Sequence, residues 1–103
     1  MKLVREVYVL IGQIPTEERF GLKSQMSRSA VSIPSNIAEG SGRTTDKEFA
    51  RALDIAIGSA FELETQLLLS CDLFHIEAQT VIEECQKIQR MITGFKNRLI
   101  KNQ

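Results

Sequence analysis

Phe49, Leu53, Ala56, Ala60, Leu63, Leu67, Ser70 and Phe74 recur at alternating steps of four and three, an unbroken heptad seam. The spacing predicts one helix from about Asp46 to Phe74, and at 1.5 Å per residue it would be about 43 Å long. Thr45-Asp-Lys-Glu48 opens it as a capping box, a hydroxyl for the first free N–H groups and a carboxylate reaching back. Such a rod takes up more than a quarter of a 103-residue chain, so the remainder must supply helices that cover its seam. Gly58 sits in its middle at a cost of about 1 kcal/mol relative to Ala. Followed by Ser59 and Ala60, it is expected to let a neighbouring helix approach closely. Ile55, Phe61, Leu68 and Leu69 fall outside the seam, too many apolar side chains for a face left wet. They are read as a subunit interface.

The helix before it, about Gly21 to Gly40, is less regular. Leu22, Met26, Ala30, Ile33 and Ile37 make an apolar stripe, yet Pro34 interrupts it. A proline there deletes one backbone donor and crowds the carbonyl of Ala30, at about 3 kcal/mol in an exposed helix interior. A kink at Pro34 is the expected outcome, with the Ser32 and Ser35 hydroxyls free to bond nearby carbonyls. Arg28, Ser32, Asn36, Glu39 and Arg43 form a polar lane beside the stripe, so part of that lane should be half-buried. Arg28, Ser32, Asn36 and Glu39 are read, together with Glu64 of the long helix, as a structural polar network holding the two helices in register. The alternative is a small-ligand or enzymatic site at the same kink.

Two further helices complete the set. The first runs from the start to about Gln13, with Leu3, Val7, Leu10 and Ile14 on one face, and Gly12 and Pro15 end it. The last runs from about Glu77 to Lys101, with Val81, Cys85, Ile88, Ile92, Phe95 and Leu99 as its seam. Short connections imply antiparallel neighbours, hence an all-α, up-down-up-down four-helix bundle forming a single domain over residues 1–103.

Composition bears mainly on function. Thirteen basic and thirteen acidic residues cancel, which argues against a generic nucleic-acid binder. The charges are nonetheless segregated: residues 52–86 hold seven acids and no base, and residues 87–103 hold five bases and no acid. Lys87, Arg90, Arg98 and Lys101 lie off the apolar seam, where they could track a phosphate backbone or simply face water. No aromatics are interleaved among them for stacking on bases. Cys71 and Cys85 make no disulfide framework and are read as free, largely buried thiols in a reducing cytoplasm. No apolar run approaches twenty residues and no signal peptide is present, so no membrane is expected. Helical bundles can hold paired metals on Glu-x-x-His motifs, but His75 is the lone histidine, and Asp72-x-x-His75 has no second copy. No metal, no cofactor and no catalytic residue is expected, and the chain is read as a non-enzyme.

The run from Gln25 to Arg43, with Ser32-Ile-Pro-Ser-Asn-Ile-Ala-Glu-Gly40 at its heart, closely resembles the signature of bacterial four-helix-bundle proteins encoded in 23S rRNA intervening sequences. Ala56-Ile-Gly-Ser-Ala-Phe-Glu-Leu-Glu-Thr65 resembles a second block of that family, and Pro15 with the segment 18–22 a third. The resemblance is good over roughly residues 7–75, and accessory proteins of diversity-generating retroelements are related to the same family. It implies a cytoplasmic bacterial homopentamer that associates with ribosomal RNA or with a nucleoprotein partner. Members usually begin with a longer first helix carrying a Trp; this chain has none and starts inside that helix, as a truncated N-terminus would.

Overall fold

In the computed structural model, residues 1–18, 20–43 and 45–101 are described. Four α-helices follow in order: α1 (Lys2–Ile11), α2 (Leu22–Ser41), α3 (Asp46–Phe74) and α4 (Gln79–Lys101), with a 3₁₀ turn at Thr16–Glu18. Among the described residues there is no strand. The molecule measures 46 × 23 × 18 Å, so the long dimension is set by α3.

Each helix abuts the next in the chain, and α4 closes back on α1, which makes a four-helix bundle with α1 and α3 diagonally opposed. The most extensive packing is between α2 and α3, followed by α3 on α4. Met26 meets Ser70, Ser32 meets Ser59, and Gly40 faces Ala52, so the pairing runs down the length of both helices. Leu3, Val7, Leu10 and Ile14 of the first face are buried, as are Met26, Ala30 and Ile33 of α2. From α3 come Leu53, Ala56, Ala60, Leu63 and Leu67. Burying such a set of aliphatic side chains is the main source of stability, at about 1.5–3 kcal/mol for each full-sized one.

The helix ends follow from local chemistry. The Thr45 hydroxyl accepts from the Glu48 N–H at 3.1 Å, satisfying one of the first orphan donors of α3. At the other end His75 adopts φ 55°, ψ 35°, the left-handed conformation that returns the chain, and its N–H bonds the Cys71 carbonyl. α2 runs through Pro34. There the Asn36 side-chain amide, rather than a serine hydroxyl, donates to the Ser32 carbonyl at 2.8 Å.

α4 differs from its expected seam. Cys85 and Ile92 are buried, but Phe95 is 42% exposed, while Ile82 and Gln89 are buried in its place. The inward face is turned toward α3, because Gln89 is drawn in by acceptors there. The Phe95 ring packs edge-on against Phe49 with centroids 5.5 Å apart.

Candidate functional site

Two polar lanes face each other across the α2–α3 seam. α2 brings Gln25, Arg28, Ser29 and Ser32, all within two turns on one side; α3 brings Ser59, Glu62 and Gln66, spaced three and four apart. They line an open cleft of about 540 Å³. Its floor is buried: Ser29, Ser59 and Gln66 are each less than a tenth exposed. The Ser32 and Ser59 hydroxyls are 2.8 Å apart, and the Asn36 amide also donates to the Ser32 hydroxyl at 2.9 Å. The Gln66 backbone carbonyl accepts from Ser70 at 3.0 Å. Its side-chain Oε1, however, is buried with no hydrogen-bond partner among the described residues. Leaving such an acceptor unmet costs about 1–3 kcal/mol. Arg28 and Glu62 stand exposed on the rim, and among the described residues no ion pair joins them.

The predicted polar network is therefore distributed differently. Ser32 and Asn36 do link α2 to α3, through Ser59. Arg28 makes no hydrogen bond or ion pair among the described residues and belongs to the cleft rim. Glu39 pairs with Arg43 on the exposed side of its own helix. Glu64 faces α4: its carboxylate accepts from Gln89 Nε2 at 2.8 Å and Gln86 Nε2 at 3.0 Å. The Gln89 bond first, and then the Gln86 bond, hold the Glu64 carboxyl below the ordinary 4.5, against the opposing effect of burial. Beside it Cys85 donates to the Ala60 carbonyl. Burial pushes that thiol up to about 11, with the Glu64 charge adding to the rise and the Gln89 bond opposing it. Cys85 is thus a poor nucleophile at neutral pH.

Gly58 requires a correction. A methyl group there would meet nothing within 4 Å among the described residues, so the glycine is not a close-packing point between these helices. That role falls to Gly40, where a methyl would sit 2.6 Å from the Ala52 Cβ and 2.8 Å from the Phe49 ring. Helix phase explains the error, since Gly58 lies opposite the seam whereas Gly40 lies where the C-terminal end of α2 meets the first turns of α3. Gln25, Ser29, Gln66 and Gln89 escape a reading of apolar periodicity because polar residues on buried stripes look like interruptions. The matched three- and four-residue spacing of the two polar lanes is the signal that identifies the first three.

Ile55, Phe61, Leu68 and Leu69 are 52, 55, 52 and 42% exposed, and Leu73 joins them at 58%. On α4, Lys87, Arg90, Arg98 and Lys101 are all exposed and fall within one quadrant of the helix. Lys96 is engaged by Asp54 of α3. Among the described residues no cluster of His, Cys, Asp and Glu is placed to hold a metal ion, and no helix is long and apolar enough to cross a membrane.

A comparison with curated proteins finds no match. The family model described as 23S rRNA-intervening sequence protein matches residues 1–94, and with nearly the whole bundle inside that match the chain belongs to this family.

Proposed function

We propose that this chain is a non-enzymatic, self-associating assembly protein of the bacterial cytoplasm, and that it partners ribosomal RNA or a nucleoprotein. The observation that carries the reading is the outer face of α3. Phe61, Leu68 and Leu69 surround Thr65 at helical steps, each more than 40% exposed, and Ile55 and Leu73 extend the patch. A monomer that leaves this many large apolar side chains on one helix face is unusual. Covering them with further copies of the chain removes their surface from water at about 25 cal/mol per Å². A closed ring of five is the assembly proposed, with antiparallel helices in each subunit and a bend at Pro34. The paired contacts Met26–Ser70, Ser32–Ser59 and Gly40–Ala52 support the antiparallel sense, because residue numbers rise on α2 as they fall on α3. The missing amide hydrogen of Pro34 inside α2 supports the bend.

Light scattering behind a sizing column is the test. The parent protein should give about five times the 11.6 kDa of one chain. Phe61→Glu with Leu68→Glu should reduce it to a folded species of lower order. A parent protein that runs as a monomer at micromolar concentration would refute the reading.

A further inference from the structure

We infer that the α2–α3 cleft is a binding site for a small zwitterion, an α-amino acid in free form, a property that goes beyond the proposed assembly role. The cleft is a built feature rather than a gap in packing. Helix pairs bury apolar stripes, yet here two helices turn matched polar lanes toward one another and keep Ser29, Ser59 and Gln66 more than nine-tenths buried at the bottom. The Ser32–Ser59 pair, steadied by Asn36, closes one wall and accounts for its own polar atoms. Gln66, which also lines the cleft, does not balance in this way: its Oε1 is a buried acceptor that meets no donor among the described residues. Once its side-chain amide turns toward the cleft, a ligand bearing N–H groups supplies what it lacks.

The rim specifies the rest. Arg28 on α2 and Glu62 on α3 look onto the same space with opposite charges, and no ion pair joins them. A ligand carrying one anionic and one cationic group satisfies both, its carboxylate on the Arg28 fork and its ammonium shared between Glu62 and Gln66. A simple anion would leave Glu62 and the Gln66 acceptor unmet, and a simple cation would leave Arg28. Among the described residues no apolar or aromatic side chain lines the cleft, so a hydrophobic ligand finds none there to bury against. About 540 Å³ is ample for an amino acid with a polar side chain.

The test is a ¹H–¹⁵N titration of the ¹⁵N-labelled full chain with glycine, L-glutamine and L-arginine, and with acetate and methylammonium as single-charge controls. Saturable shifts confined to Ser29, Ser32, Ser59 and the Gln66 side-chain amide are expected with at least one amino acid. Acetate and methylammonium should bind at least tenfold more weakly. Arg28→Gln and Gln66→Leu should each weaken amino-acid binding at least tenfold with the helical circular dichroism unchanged. Arg28 is exposed, so its variant carries the test even if the Gln66 change perturbs folding. No saturable shift with any amino acid overturns the inference, and this is also the result expected if water or a second copy of the chain fills the cleft. Acetate binding as tightly as the amino acids, or undiminished binding in Arg28→Gln, overturns it equally.

Discussion

Gly40 and Gly58 both lie inside helices, and the same substitution should move stability in opposite directions. At Gly58 a methyl meets open space, so Gly58→Ala gains helix propensity, up to about 1 kcal/mol. At Gly40 the obstacle is the Ala52 Cβ, fixed to the α3 backbone, together with the Phe49 ring. Gly40→Ala should lower stability by about 1–3 kcal/mol, the ordinary cost of overpacking. Urea melts of both variants against the parent give the sign directly, and a destabilising Gly58→Ala would place that glycine in an intersubunit contact. Glu64 carries a different kind of residue effect. Its carboxyl is held below 4.5 by the Gln89 and Gln86 amides, so the folded state favours the charged form. The stabilisation is therefore present above the unfolded pKa and fades as pH falls through the folded one. Glu64→Gln should cost about 1–2 kcal/mol at pH 7, the worth of charge-assisted over neutral hydrogen bonds. That deficit should shrink in melts taken at successively lower pH, as the parent carboxyl takes up its own proton on passing through the folded-state pKa.

At the scale of elements, terminators carried most of the legible information. The heptad seam and the Thr45 cap place α3 at Asp46–Phe74, the span observed. α1 stops at Ile11, two residues before the expected end, and α4 starts at Gln79, two after its expected start. The His75 N–H bonds the Cys71 carbonyl in a left-handed turn, a conformation that costs a non-glycine residue about 1–2 kcal/mol. His75→Gly relieves that cost and gives part of it back through a more flexible unfolded chain. A net gain of about 0.5–1 kcal/mol is expected in chemical denaturation, with the helical signal unchanged. The inward face of α4 was less readable than the outline of α3. Apolar spacing selects Phe95, whereas the fold buries Gln89, because a carboxylate on the adjacent helix rewards a polar side chain there. Such a preference depends on the partner helix and leaves no trace in the periodicity of α4 itself. The same holds for the cleft: Ser32 and Ser59 are recognisable as polar, but only helix pairing shows that they touch.

For the whole molecule, charge placement decides what the proposed RNA association requires. The chain is neutral, yet residues 52–86 hold seven acids and no base while residues 87–103 hold five bases and no acid, and the bundle packs α3 against α4, which carry most of these charges. Sequence separation thus becomes partial neutralisation in space, seen directly where Lys96 meets Asp54. What survives is the stripe of Lys87, Arg90, Arg98 and Lys101, exposed and off the buried face. By itself one such stripe would bind phosphate only weakly. In the proposed ring it would be repeated by symmetry, and linked weak contacts gain avidity without any new interaction. RNA association should accordingly depend on assembly as well as on charge. Fluorescence anisotropy with a structured RNA should show binding that falls steeply between about 50 and 200 mM salt and is nearly indifferent to sequence. Arg90→Glu with Arg98→Glu should abolish it while leaving the melt and the oligomer mass unchanged, since both side chains are exposed. Phe61→Glu with Leu68→Glu should weaken it by dispersing the stripes, although those residues touch no phosphate. Identical curves for the parent and the double α4 variant would mean that the stripe is ordinary solvated surface. Equal affinity for assembled and dispersed protein would instead place RNA recognition within a single subunit.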